Sequence, residues 1–272
     1  MIPETWIYGA SAATSLAISA RWNWWRLPQD GLPVLMYHKV GTPPPHSQLK
    51  GLWVSTKAFR RQMEYLKKKE YTALGFSELV QAHRKGNSLP KRSVLVTFDD
   101  GYENNYTEAY PILKELKMKG NIFLVVETLD HHNSWHNPDS EPWIRMLTWS
   151  QVHEMKKSGW MEFGSHTMRH RNLSQTPLEE AKWEFSESKK RLEERLDEEM
   201  SCFAYPYGAG AYHPPLREAA LQCGYVLDFG IRQGKTPWPH DPKAGPLKRL
   251  YIRGDDYAFD FYLNLTRGKA RL

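Results

Sequence analysis

Short, continuous apolar runs recur along most of this chain. The runs at 34–37 (VLMY) and 94–97 (VLVT) have the length and the aliphatic or β-branched content that are typical of buried strands. Similar runs follow at intervals, and most are bounded by polar, glycine or proline residues. The pattern predicts further strands at 121–126, 161–165, 202–205 and 225–229.

Amphipathic segments of helical length separate these strands. In the first of them, Phe59, Met63 and Leu66 recur at the spacing of one helical face, and Ser55 or Thr56 can cap the helix. The same reasoning predicts helices at 78–84, 106–116, 149–157, 178–196 and 215–223.

Strands that alternate with helices are typical of parallel βαβ units. About seven such units in a chain of 272 residues favour a closed barrel over an open sheet. We therefore expect the α/β class, with a (β/α) barrel of about seven strands in a single domain. In barrels of this kind, functional side chains lie where the strands end and the loops begin.

The first 28 residues differ from the rest, so we divide the chain into segment 1–28 and a domain at 29–272. Trp6–Ala20 carries no charge, and Trp and Arg residues follow it. This run is shorter than the roughly 20 residues that cross a bilayer, and the basic start of a secretory signal is missing. Two interpretations remain open: a membrane anchor or uncleaved signal, or a soluble N-terminal helix.

Composition excludes some classes of function. The net charge of +6 is scattered along the chain, whereas nucleic-acid-binding proteins usually gather Lys and Arg on one face, so we expect no nucleic-acid partner. Cys202 and Cys223 are the only cysteines and belong to no metal-spaced set, so we interpret both as small core residues.

Polar side chains directly follow several of the predicted strands. His38 follows VLMY, Asp99 and Asp100 follow VLVTF, and His166 follows MEFGS. Barrel closure would bring these strand ends to one mouth, where a catalytic cation needs about three protein ligands and one open position. His170 lies four residues after His166, so a helical turn or a tight loop can direct both imidazoles to one point.

The two adjacent carboxylates strengthen this interpretation. The histidine pair alone would also fit two structural histidines. Buried next to each other, however, Asp99 and Asp100 would repel, and one would be protonated unless a cation lay nearby. One carboxylate can bind such a cation while the other takes a proton from water.

Three motifs carry a family resemblance. TFDDG at 97–101, SHTMRH at 165–170 and AYPYG at 204–208 resemble, in order and spacing, the first three motifs of the polysaccharide deacetylase family. This is the NodB homology domain of carbohydrate esterase family 4, and the resemblance covers about 32–229. It implies a distorted barrel with fewer than eight strands. It also implies site roles: Asp99 as general base, and Asp100, His166 and His170 as metal ligands.

The family's late motif, a Leu-rich strand that ends in His, is not visible near the C-terminus. PVLMYHKV at 33–40 instead supplies a strand that ends in His38. This arrangement is similar to the branch that deacetylates poly-β-1,6-N-acetylglucosamine, and it implies that His38 is the general acid. A hydrogen-bonded core histidine is the alternative.

The third motif departs from the family. Many relatives have Arg before the proline, where this chain has Tyr205, so the Arg that usually braces the base is absent. Arg249 or Arg253 could replace it, although each fits an ordinary surface or barrel-rim cation better. We expect the turn to contact the substrate, with the N–H of Tyr207 in the oxyanion hole; its residues are Tyr205, Pro206, Tyr207 and Gly208.

Together these features predict a metal-dependent hydrolase. Two imidazoles and one carboxylate suit Zn²⁺ best, although Co²⁺ or Ni²⁺ would fit. The expected reaction releases acetate from N-acetylglucosamine units of an extracellular biofilm polysaccharide, at the cell envelope outside the cytoplasm. The N-terminal segment could add membrane association, and the sequence carries no signal for an oligomeric state. Alternatives are deacetylation of chitin oligomers, peptidoglycan or O-acetylated xylan, or an inactive carbohydrate-binding module.

The segment 130–146 is predicted to be a long loop rich in His, Trp and Pro. Its tryptophans and the one just after it could equally stack on sugar rings or pack in the core: Trp135, Trp143 and Trp149. Its histidines have no carboxylate partner in the sequence pattern, so we interpret them as incidental: His131, His132 and His136.

Overall fold

The computed structural model describes Ser19, Trp22 and residues 25–271. The described strands are β1 (Val34–Tyr37), β2 (Lys39–Val40), β3 (Trp53–Val54), β4 (Thr72–Leu74), β5 (Ser93–Phe98), β6 (Gly120–Leu124), β7 (Met161–Ser165), β8 (Cys202–Ala204), β9 (Leu227–Gln233) and β10 (Leu247–Tyr251). Seven of them form a closed parallel barrel, in the order β1, β5, β6, β7, β8, β9, β10 and back to β1. The predicted barrel of about seven strands in a single domain is therefore confirmed.

Helices surround the barrel. They are α1 (Thr56–Lys68), α2 (Phe76–Lys85), α3 (Tyr110–Leu116), α4 (Trp149–Lys157), α5 (Leu178–Leu196), α6 (Pro214–Gln222) and α7 (Ala258–Arg267). Ser55 caps α1, because its hydroxyl accepts a hydrogen bond from the N–H of Ala58 at 3.2 Å. The sequence predicted α4 and α5 with these same bounds, but it missed β10 and α7.

Alternation along the strands produces two apolar clusters. Val34, Leu95 and Phe229 belong to a cluster drawn from the barrel strands together with β4, α2 and neighbouring residues. Their neighbours of opposite parity, such as Leu35 and Val96, pack with the surrounding helices instead. Because successive strand residues face opposite sides of the wall, the first cluster fills the barrel and the second covers it.

The short strands extend this framework. β4 pairs with the N-terminal half of β5, whereas β2 and β3 form a separate two-stranded sheet directly after His38. Cys202 is buried at the start of β8, and Cys223 is partly buried after α6 and packs against the apolar core, so both are core residues as predicted. Both thiols are free.

The N-terminal segment lies largely outside the described residues, so its two interpretations remain predictions. Within the described part of the chain, no helix combines the length and apolar character needed to span a bilayer.

Candidate active site

Three side chains meet at the mouth of the barrel. The Oδ1 atom of Asp100 lies 3.4 Å from Nε2 of His166 and 3.1 Å from Nε2 of His170. All three residues are buried, and their ligand atoms lie within 4.8 Å of one another. The predicted metal ligands therefore converge, although they come from the ends of two separate strands, β5 and β7.

The orientation of His166 is compatible with a cation between these atoms. Nδ1 of His166 lies 2.8 Å from the carbonyl oxygen of Ala204, and a carbonyl can only accept, so Nδ1 carries the proton. When the ring is neutral, its Nε2 atom is an acceptor that faces another acceptor, Oδ1 of Asp100. Two nitrogens and one oxygen that converge in this way fit a divalent cation such as Zn²⁺.

His170 lies in a tight loop after β7 rather than on a helix. Its backbone has a φ of +55°, and its N–H donates to the hydroxyl of Thr167 at 3.1 Å. Glu184 of α5, which is fully buried, holds this loop in place. The carboxylate of Glu184 accepts hydrogen bonds from the backbone N–H groups of Met168 (2.9 Å) and Arg169 (3.0 Å).

Asp99 has a different partner. Arg249 on β10 donates from Nη1 to Oδ1 at 2.6 Å and from Nη2 to Oδ2 at 2.8 Å, and both side chains are buried. A third bond from Nε of Arg249 to the carbonyl of Gly230, at 2.8 Å, fixes the guanidinium inside the barrel mouth. Our preference for a surface or rim role was therefore wrong for Arg249: it braces Asp99. Arg253 instead pairs with Asp255 on the exposed side.

Charge at the site keeps both carboxylates ionised. Burial opposes ionisation of Asp99, but Arg249, with the imidazoles of His166 and His38, outweighs burial and lowers the pKa of that carboxyl. Burial likewise opposes ionisation of Asp100, yet its contacts with His170 and His166 hold its pKa well below the usual range.

His38 lies beside the base. Its Nε2 atom is 3.9 Å from Oδ2 of Asp99, and its side chain is 17% exposed, so it is reachable from the mouth. Its Nδ1 atom is buried and has no hydrogen-bond partner within the described residues. Burial lowers the pKa of His38, and the attraction of Asp99 and Asp100 offsets this only in part.

The third-motif turn follows β8. The side chains of Tyr205 and Pro206 are buried, and the hydroxyl of Tyr205 donates to Asp228 at 3.1 Å, away from Asp99. Tyr207 is the residue of the turn that lines the mouth, with its ring 4.6 Å from that of His170. Its φ of +57° is unusual for a residue other than glycine. No hydrogen bond from its backbone N–H is found among the described residues.

The three tryptophans in and just after the long loop have different surroundings. Trp135 packs on His170 with the ring centres 4.3 Å apart, and Trp143 lies further out in the same cleft. Trp149 packs against the apolar core instead, so it is a structural residue. The cleft also contains His131 and His132, but neither belongs to a group that could bind a metal within the described chain.

Lys39 is a further residue that sequence reasoning missed. It directly follows His38 and is 1% exposed, and its ammonium lies 4.6 Å from the ring centre of Tyr102 and 5.6 Å from that of Trp53. Burial lowers the pKa of Lys39, although Asp100 attracts its charge. The alternation in YHKV gave no signal for this burial, because successive strand residues face opposite sides and a Lys beside the buried Val40 would be expected to face solvent.

Comparison with known proteins agrees with this geometry. The polysaccharide deacetylase family model matches residues 86–227, more than half of the chain. This chain belongs to the polysaccharide deacetylase family. The matched residues include all three motifs.

Individual relatives refine the comparison. YxkH of Bacillus subtilis (strain 168) is 30% identical over 203 residues, which are 75% of this chain and 65% of that protein. The poly-β-1,6-N-acetyl-D-glucosamine N-deacetylase of Staphylococcus aureus (strain MRSA252) is 31% identical over 191 residues. That match covers 66% of this chain and 63% of the relative, so the chain spans just under two thirds of either relative's length.

Among solved structures, the Streptococcus pyogenes deacetylase PplD in complex with acetate is similar to this chain. The two superpose with a TM-score of 0.71 at 26% identity, over 84% of this chain and 94% of PplD. The similarity to PplD thus supports the barrel fold. The similarity to the S. aureus enzyme supports the resemblance of this chain to the poly-β-1,6-N-acetylglucosamine deacetylase branch.

Proposed function

We propose that this protein is a metal-dependent hydrolase that removes acetyl groups from the N-acetylglucosamine units of an extracellular polysaccharide, poly-β-1,6-N-acetylglucosamine. The observation that carries the proposal is the meeting of two chemically different sets at one mouth. Asp100, His166 and His170 form a ligand set, while Asp99 and His38 lie beside it with their side chains 3.9 Å apart. The named activity of the S. aureus relative supports the choice of substrate.

The ligand set fits Zn²⁺, with Co²⁺ and Ni²⁺ as alternatives. When bound, such a cation supplies Lewis-acid polarisation and makes water a stronger nucleophile near neutral pH. The protein's part is to orient the ligands: Ala204 fixes the tautomer of His166, and Glu184 fixes the loop that carries His170.

Asp99 and His38 move the protons. Asp99, held ionised and oriented by Arg249, takes a proton from the water that attacks the acetyl carbonyl. As the C–N bond breaks, Nε2 of His38 gives a proton to the departing amine. Its lowered pKa makes the protonated ring a ready donor. The backbone N–H of Tyr207 is suited to hold the carbonyl oxygen as negative charge develops there.

Two further parts of the proposal concern location. A polymeric substrate outside the cell requires a protein at the cell envelope, beyond the cytoplasm. The uncharged Trp6–Ala20 run, with the Trp and Arg residues after it, supports membrane association through segment 1–28.

The test is acetate release from poly-β-1,6-N-acetylglucosamine with and without a chelator. We expect release that stops on chelation and returns with Zn²⁺. Asp99→Asn should keep the metal and lose about 10²- to 10⁴-fold in kcat, whereas His166→Ala should lose both. A panel of chitin oligomers, peptidoglycan and O-acetylated xylan completes the design. Acetate from xylan but none from aminosugars would reject the proposed substrate, and normal turnover by Asp99→Asn would reject the base.

A further inference from the structure

A large cleft opens from the ligand set toward one side of the barrel mouth. Its volume is about 920 Å³, at the upper end of the 300–1,000 Å³ typical of small-molecule sites. Trp135 and Tyr207 line the cleft beside His170, and the remaining lining residues include Trp143, Arg171 and Gln175. A ligand whose reacting group lies at the metal ligands can therefore extend into this cleft without a break.

Trp143 provides a flat apolar surface in the outer part of the cleft. Its side chain is 47% exposed, yet its indole Nε1–H donates to the carbonyl of His136 at 2.7 Å. The ring is therefore held in one orientation although it is open to solvent. An indole held in this way leaves its apolar ring face open to pack against the C–H face of a sugar, because its polar N–H is already hydrogen-bonded.

Polar groups surround this aromatic surface. Arg171 and Gln175 line the cleft, and their side chains make no hydrogen bond or ion pair within the described part of the chain. Their donors and acceptors are free for the hydroxyl and acetamide groups of a glycan. A mostly rigid aromatic surface with a few polar partners is the usual composition of a small-molecule site.

The loop that carries Trp143 is braced in two places. Asn133 is fully buried, and its side-chain oxygen accepts a hydrogen bond from the N–H of Ile144 at 2.6 Å, which closes the base of the loop. Near the tip, the buried carboxylate of Glu141 accepts a bond from the hydroxyl of Ser47 at 2.8 Å. It also accepts bonds from the N–H groups of Gln48 (2.8 Å) and Leu49 (3.1 Å). The cleft wall is thus formed in advance of binding, which reduces the entropy cost of ligand association.

We propose that this cleft is a binding subsite for the sugar units next to the one that is deacetylated, with Trp143 as the stacking surface. The inference rests on the proposed function and adds to it a direction: the polymer extends from the ligand set past Trp135 toward Trp143. Oligomers long enough to reach Trp143 are then better substrates than the monomer, through a lower KM rather than a higher kcat.

The experiment compares Trp143→Ala, Trp143→Phe and Trp238→Ala with the wild-type enzyme. Trp238 is a matched control, because its Nε1–H also donates to a backbone carbonyl, that of Asn87 at 2.9 Å, but at the opposite end of the barrel beside Pro33. Substrates are N-acetylglucosamine oligomers of increasing length, and para-nitrophenyl acetate as a probe that reaches only the centre.

For Trp143→Ala we expect KM for the longer oligomers to rise about three- to tenfold, the loss of one aromatic stacking contact. The kcat value and hydrolysis of para-nitrophenyl acetate should stay unchanged. Trp143→Phe should recover most of the affinity, and Trp238→Ala should leave KM as it is. An unchanged KM in Trp143→Ala at every oligomer length would overturn the inference, as would an equal loss with para-nitrophenyl acetate.

Failure of the proposed function would give a different result. The wild-type enzyme would then release no acetate from any glucosamine oligomer. Calorimetric titration of Asp99→Asn with the same oligomers, with and without Trp143→Ala, still decides the subsite. Weaker binding after Trp143→Ala supports it, and equal binding or none rejects it.

Discussion

Asp99 and Asp100 are neighbours in the chain and both are buried, yet their surroundings differ in kind. Asp99 faces a guanidinium, a permanent cation that makes two parallel charge-assisted hydrogen bonds. Asp100 faces two imidazole nitrogens, of which that of His166 has no proton to offer when the ring is neutral. The protein itself therefore provides the counter-charge for Asp99, in the form of Arg249. Asp100 instead lies with the two histidines around a space that a bound cation can fill. The side chains around each carboxylate, rather than its residue type, therefore determine its role.

The largest expected effect comes from exchanging the two carboxylates for amides one at a time. Asp100→Asn should lose bound metal and bring acetate release to the uncatalysed background, because one ligand and its charge are gone. Asp99→Asn should keep the metal. Metal content by mass spectrometry of the purified proteins distinguishes the two variants, and equal metal loss in both would remove the difference that we draw.

Arg249→Met tests the other half of the comparison. Without the guanidinium, burial of Asp99 is no longer offset, so the pKa of the carboxyl rises and the base is protonated at higher pH. The acidic limb of the kcat/KM profile should therefore move to higher pH, with about a 10²-fold loss at neutral pH. Arg249→Lys keeps the charge but not the paired geometry and should lie between. A limb at its wild-type position in Arg249→Met would show that Asp99 does not depend on Arg249.

Glu184→Gln affects the metal side without touching a ligand. We expect metal affinity to fall about 10- to 100-fold, as for other groups that orient ligands, and stability to fall by about 1–3 kcal/mol. Glu180→Gln is the matched control, since Glu180 pairs with the same Arg169 at 2.9 Å but on the more exposed side. Competition with a metal-binding dye and urea unfolding measure the two quantities, and equal effects of both variants would contradict the bracing role.

Tyr205→Phe should have the smallest effect. The hydroxyl of Tyr205 donates to Asp228, which also pairs with Arg217, and it makes no contact with Asp99. We expect a loss of about 1 kcal/mol in unfolding free energy and no movement of the pH profile. Any shift of the acidic limb would show that this position still influences the base.

Sequence patterns predicted the barrel and the residues that converge, because strand ends of a parallel barrel meet at one mouth whatever their separation in the chain. The bracing of Asp99 was not predictable in the same way. In LKRLY the charged Lys248 and Arg249 obscure the apolar run, so β10 was missed. The burial of Arg249, which shares the inward parity of Leu247, was missed with it. Glu184 was missed for a similar reason, since a Glu in a charged helix gives no sign that it is buried.

The site also depends on contacts between distant parts of the chain. His38 follows the first barrel strand, and Arg249 lies on the last, which must insert between β9 and β1 before the wall is complete. During synthesis on the ribosome, the earlier segments can bring the ligand residues together well before Arg249 has emerged. A nascent chain at that stage could hold a cation but would lack the counter-charge of its base. Catalytic competence would thus begin only when the final strand is in position, so hydrolysis would report closure of the barrel.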